Sequence, residues 1–168
     1  KNSSKSQIRI HNHAIGGATF STHLASAAKT SNLFAYQDIN MDVIFVESYI
    51  NDIRNGTSKE TWLGHWNRFL NIFHTSARDI IVYIGFPANP ETETWVNIQD
   101  DWIDSLKVLL DSRKINLFDS RKIYGQTYSK AFSEGIIADD YHPNKIGIAL
   151  KSQKIVKQFL DNTSRPFD

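Results

Sequence analysis

Near the C-terminal end of the sequence, Asp139-Asp140-Tyr141-His142-Pro143-Asn144 sets a carboxylate three residues ahead of a histidine. A carboxylate hydrogen-bonded to one imidazole nitrogen fixes the tautomer, so the other nitrogen can take a proton from a nucleophile. This spacing lets one loop present both groups. The same residues would also serve as an acidic loop whose His and Asn cap the next helix. A second candidate is Ile15-Gly16-Gly17-Ala18-Thr19, because glycine lets a backbone N–H approach a ligand oxygen closely; its plainer reading is an ordinary turn. The third is Asn51-Asp52, a few residues beyond an apolar run. An Asn amide there can donate to a developing oxyanion, although Asn-Asp after a strand is also common loop chemistry.

These groups need elements to carry them. Gln7 to Ile10 alternates polar and apolar residues and runs into Gly16-Gly17, which predicts a strand and a tight turn. Thr22 to Lys29, rich in alanine, reads as helix. Val43-Ile44-Phe45-Val46 is a continuous β-branched and aromatic run, the pattern of a central parallel strand buried on both faces. Trp62, Leu63, Trp66, Phe69, Leu70 and Phe73 recur at intervals of three and four after a cap at Thr57 or Ser58, which predicts an amphipathic helix. Ile80 to Ile84 is a second buried strand, closed by Gly85-Phe86-Pro87. Helical periodicity returns from about Thr94 to Ser112, Lys114 to Phe118 gives a short strand, and a last helix starts after Pro143 with Asn144 near its cap. That helix should partly bury Ile146, Ile148, Leu150, Ile155, Val156, Phe159 and Leu160. The alternation implies an α/β sandwich with a mostly parallel sheet.

Length and composition bound the function. The chain has 168 residues, enough for a single domain spanning 1–168 and no second core. With 19 Lys and Arg against 18 Asp and Glu, scattered along the chain, there is no electrostatic footprint for nucleic acid. No apolar run approaches the roughly 20 residues of a membrane helix, so no bilayer span is expected. The absence of cysteine removes disulfides, thiolate nucleophiles and Cys-ligated zinc, and leaves the compartment open. Sequons at Asn2, Asn55 and Asn162 matter only in a eukaryotic secretory setting.

The order of these three places, glycine, then Asn, then Asp-x-x-His, resembles the SGNH (GDSL-type) hydrolase family over nearly the whole chain. Asn12 through Thr19 looks like that family's second block, Val46 through Gly56 like the third, and Asp139 to Asn144 with Gly147 like the fifth. The resemblance implies a three-layer α/β/α sandwich of flavodoxin-like type. It makes His142 the general base, Asp139 its orienting acid, and the Gly17 N–H and Asn51 amide the oxyanion donors. It requires neither metal nor cofactor. The resemblance permits carbohydrate O-deacetylation, lipid ester hydrolysis and thioester hydrolysis; because no long apolar surface suggests an acyl-chain groove, an acetyl ester on a glycan is the leading expectation, and Trp95 and Tyr141 are the candidate substrate contacts. Trp95 has the alternative of opening the next helix and packing inward.

Two departures stand out. Ser48-Tyr49-Ile50 occupies the place where family members carry a glycine before the Asn, and no Gly-Asp-Ser occurs anywhere in the sequence. In the family that tripeptide ends the most central strand. Its loss would leave rows of backbone groups unpaired, each costing about 1–3 kcal/mol. The expectation is that a preceding segment or companion polypeptide supplies strand and nucleophilic serine; neither Ser21 nor Ser48 follows a strand-to-helix turn suited to that role. The rival readings are a nucleophile-free SGNH-like module that binds a glycan or protein, and a flavodoxin-like phosphate binder, which Gly16-Gly17-Ala18-Thr19 fits only loosely.

Overall fold

A computed structural model of the chain describes residues 10, 17–22, 24, 41–73, 77–125 and 127–163. The β-branched and aromatic runs become strands: β1 (Met41–Val46), β2 (Ala77–Ile84) and β3 (Asn116–Asp119). They form a parallel sheet in the order β1-β2-β3, with Ile44 beside Ile80, Val46 beside Val82, and Ile84 beside Asp119. Parallel neighbours need crossovers. Helices α1 (Ile50–Arg54) and α2 (Lys59–Phe73) connect β1 to β2. A 3₁₀ segment (Thr94–Ile98) and α3 (Gln99–Asp111) connect β2 to β3. Two helices follow, α4 (Tyr128–Ser133) and α5 (Lys145–Thr163).

Successive side chains of a strand face opposite ways. Ile80, Val82 and Ile84 therefore join the main core, where α2 supplies Trp62, Trp66, Phe69, Leu70 and Phe73 and α3 supplies Trp102, Ile103, Leu106 and Leu110. Trp62 lies at the centre, its ring centroid 4.8 Å from that of Trp102 and 6.1 Å from that of Trp66. On the other face Tyr83 stacks between Phe45 and Phe118, at 6.3 and 5.3 Å. Ser58 caps α2, its Oγ accepting from the Thr61 N–H at 3.2 Å, so of the two expected caps it is Ser58 that serves.

The described elements correct the sequence-based expectations in four places. The strand expected from Lys114 begins at Asn116, because Lys114 takes a left-handed φ of 58° where α3 ends. The helix expected from Thr94 starts as a 3₁₀ turn and becomes α-helical only at Gln99, whose buried Oε1 accepts from the Tyr49 hydroxyl at 3.0 Å. On α5, Ile146, Ile148 and Val156 are exposed, while Leu150 and Ile155 are half-buried; Phe159 and Leu160 lie outside the described side chains. Phe45 is 52% exposed, so β1 is not buried on both faces as expected, and among the described residues it pairs with β2 alone. Of the strand expected at Gln7 to Ile10 only Ile10 is described, exposed and in no strand; Gln7 to Arg9, the turn residue Gly16 and most of the helix at Thr22 to Lys29 lie outside the described residues.

Candidate active site

The Asp-x-x-His loop is held as a short antiparallel pairing that springs from the body of the molecule. Ile137 bridges Pro143, the Ala138 N–H donates to the His142 carbonyl at 2.7 Å, and the Asn144 N–H donates to the Ile136 carbonyl at 2.9 Å. Asn144 then caps α5: its Oδ1 accepts from the N–H groups of Ile146 and Gly147 at 2.9 and 3.1 Å. Gly147 is required by close approach, since a Cβ there would stand 2.4 Å from the Ile136 carbonyl oxygen and 3.0 Å from the Pro143 Cβ.

Within this loop the Asp139 Oδ1 accepts from the N–H groups of Tyr141 and His142 at 3.0 and 2.8 Å, and its Oδ2 lies 2.8 Å from the His142 Nδ1. The two backbone donors, followed by the imidazole, hold its carboxyl down at about 2. An ionised carboxylate has no proton to give, so the shared proton sits on Nδ1 and leaves Nε2 as an acceptor. The imidazole is 59% exposed, so Nε2 is within reach of a proton donor from solvent or substrate.

Asn51 and Asp52 open α1. The preceding Tyr49 has φ −166°, a value that any residue adopts, so this turn is built without the glycine that the sequence resemblance would put before the Asn. The Tyr49 ring fills the core in edge contact with Trp95, and burial raises its phenol far above the usual range. Opposite α1 lies the segment of Gly17, whose φ of 75° falls in the left-handed region that favours glycine. The Asn51 Nδ2 donates to the Ala18 carbonyl at 3.0 Å. An amide nitrogen carries two N–H groups, so this bond orients the amide and uses one of them.

The three candidate places are tied to one another. The Arg54 guanidinium of α1 lies 4.9 Å from the centre of the Tyr141 ring, and that ring is centred 4.0 Å from the His142 imidazole. Arg54 is also 3.6 Å from Glu93, which accepts from the indole N–H of Trp95. Asn89, in the loop after β2, donates its backbone N–H to the Asp140 carbonyl at 2.8 Å and its amide to the Asp140 carboxylate at 3.0 Å. The loops following β1 and β2 and the loop before α5 thus converge at the carboxyl ends of the strands, where open α/β sheets bind ligands. Sequence reading did not single out Arg54; its signal is the three-residue spacing from Asn51, which returns to nearly the same helix face.

Trp95 is the residue the structure moves. It is 4% exposed and packed on Tyr49, so its ring belongs to the core and the expected substrate contact is corrected to a structural one. Tyr141 is half-buried and borders the imidazole. Ser48 Oγ lies 3.5 Å from the Asp52 carboxylate, and Ser21 Oγ lies 2.8 Å from Thr19 Oγ1. Among the described residues no side-chain hydroxyl bonds to His142, no group of three His, Cys, Asp or Glu stands together as a metal site, and no helix is long and apolar enough to cross a membrane.

At the level of sequence, no family model and no curated relative matches this chain. Solved structures match in three dimensions. A catalytic mutant of an acetylxylan esterase from Geobacillus stearothermophilus aligns with a TM-score of 0.66 over 84% of this chain and 67% of its own, at 11% identity. A member of the lipolytic G-D-S-L family from Veillonella parvula gives 0.66 over 86% and 76%, at 16% identity. A Bacillus subtilis protein gives 0.66 over 90% of this chain and 45% of its own, also at 16%. The chain has the α/β fold of the SGNH (GDSL-type) hydrolases.

Proposed function

We propose that this chain carries the base and the oxyanion donors of a serine ester hydrolase, and that the bond cleaved is an acetyl or other short acyl ester on a carbohydrate. The observation that carries the reading is the His142 Nδ1 at 2.8 Å from Asp139 Oδ2, on a loop linked through Tyr141 and Arg54 to the helix of Asn51. The serine comes from a polypeptide segment outside these 168 residues. His142 Nε2 takes its proton as the serine oxygen attacks the ester carbonyl, and Asp139 stabilises the imidazolium that forms. The Gly17 N–H and the second N–H of the Asn51 amide receive the oxyanion. As the tetrahedral intermediate collapses and its bond to the sugar oxygen breaks, the imidazolium gives its proton to that oxygen, which leaves as the sugar alcohol, and water then releases the acyl group by the same sequence. The fold shared with an acetylxylan esterase supports the choice of acetylated glycan.

The test is ester turnover by the complete protein on p-nitrophenyl acetate and an acetylated xylan, with labelling by a serine-directed phosphonate. His142→Ala should remove turnover, by about three orders of magnitude or more, while leaving folding intact. Undiminished turnover in a folded His142→Ala protein would take the imidazole out of the chemistry. Neither turnover nor labelling in the complete protein would identify a module that binds its glycan or protein partner without cleaving it.

A further inference from the structure

Asp52 is fully buried, and the base-and-oxyanion chemistry proposed above gives it no part. A carboxylate in such a place must be hydrogen-bonded to persist. Its principal partner is thirty-two residues away: the Phe20 N–H donates to Oδ2 at 2.9 Å and to Oδ1 at 3.2 Å, while Ser48 Oγ stands 3.5 Å from Oδ2. The neighbouring Asn51 amide holds the Ala18 carbonyl at 3.0 Å. Two consecutive side chains of α1 thus grip two points, one on each side of Thr19, in the segment that begins with Gly17. Phe20 adds an apolar anchor, its ring 4.7 Å from Trp66 and 5.5 Å from Phe69.

We infer that Asp52 is a positioning residue for the oxyanion cradle: by holding the Phe20 N–H it fixes the Gly17 backbone relative to the Asn51 amide, so that both donors address one oxygen. This inference rests on the esterase reading. A packing role alone would be met by any apolar residue of similar volume. Here instead the carboxyl is desolvated enough to rise above the ordinary range, with the Phe20 N–H, then the nearby His65 and the Ser48 hydroxyl acting against that rise. Oxyanion stabilisation depends on donors already in place when charge develops, so a shift of the Gly17 segment lowers kcat and leaves ground-state binding almost untouched.

The experiment measures kcat and KM for p-nitrophenyl acetate in the complete protein carrying Asp52→Ala, Asp52→Asn, Asn51→Ala and the double variants, with His142→Ala beside them and circular dichroism to verify folding. Removing one oxyanion donor typically lowers kcat about 100- to 1,000-fold, so Asp52→Ala, which only misplaces one, should lower it about 10- to 100-fold with KM within about twofold. Asp52→Asn retains an uncharged acceptor for the Phe20 N–H and should recover most of that, leaving a loss of about three- to tenfold. In the Asn51→Ala background both losses should shrink toward unity, because the cradle they align is already broken. Wild-type kcat in either folded Asp52 variant, or losses that simply multiply with that of Asn51→Ala, overturns the inference while a dead His142→Ala keeps the esterase reading. Should Asp52→Ala not fold, Asp52→Asn and its double variant decide the matter. Full turnover in His142→Ala overturns both.

Discussion

At Asp139 one oxygen accepts two backbone N–H groups and the other meets the imidazole. Each contact favours the charged form, which is why the carboxyl falls from its ordinary 3.8 to about 2 although the side chain is half exposed. A depressed value means the unfolded chain takes up the proton first. The resulting contribution to stability is therefore complete above the ordinary value and is lost as the pH falls toward about 2, and solvent screening keeps it small. Carbon-13 NMR of the carboxyl should show its midpoint at about 2, and His142→Ala should move it only part of the way back, since the Tyr141 N–H and the backbone N–H at position 142 remain. A midpoint at the ordinary value in the wild type would mean the carboxylate is not held by this loop. The Asp-x-x-His unit was legible because it is local: three residues and one turn build it. The Asn51 amide was legible as a residue, whereas its grip on Ala18, like that of Asp52 on Phe20, spans more than thirty residues and has no trace in periodicity.

The element that fixes this loop is the start of α5, and there two known effects oppose each other. Replacing Gly147 by Ala in a helix gains about 1 kcal/mol of propensity. The added methyl, however, would meet the Ile136 carbonyl at 2.4 Å and the Pro143 Cβ at 3.0 Å. The first is backbone and cannot swing aside, so overpacking of about 1–3 kcal/mol should win. Gly147→Ala should lower the urea midpoint, and because Pro143 follows His142, ester turnover should fall beyond what the loss of folded protein explains. A stabilised variant would mean that α5 does not press on this loop. The elements the sequence announced were those with long apolar periods, α2 and α3, and the buried run of β2. Helix α4 escaped notice because its six residues bury only Ala131, too little to leave a pattern. On α5 the apolar residues suggested burial, yet Ile146, Ile148 and Val156 turn outward. Hydrophobicity says that a residue can be covered; only the packing partner says whether it is. Trp95 illustrates the converse, an aromatic in a loop next to the site that the Tyr49 ring draws inward.

For the molecule as a whole, the open question is what lies beside β1. A parallel strand directs alternate N–H groups to either side, and β2 receives one set from Met41–Val46. Among the described residues no strand receives the other set. A strand supplied from outside these 168 residues, and ending in the nucleophilic serine, would cover that edge and bring the hydroxyl to the same strand-end face as His142 and Asn51. Each buried N–H left without a partner costs about 1–3 kcal/mol, so several along one edge would consume most of a typical domain's stability. The location of the nucleophile tests this directly. In the complete protein the phosphonate should label a serine on a peptide outside the 168 residues. A label on a serine within them would overturn the external strand and return the search for the nucleophile to the hydroxyls this sequence holds.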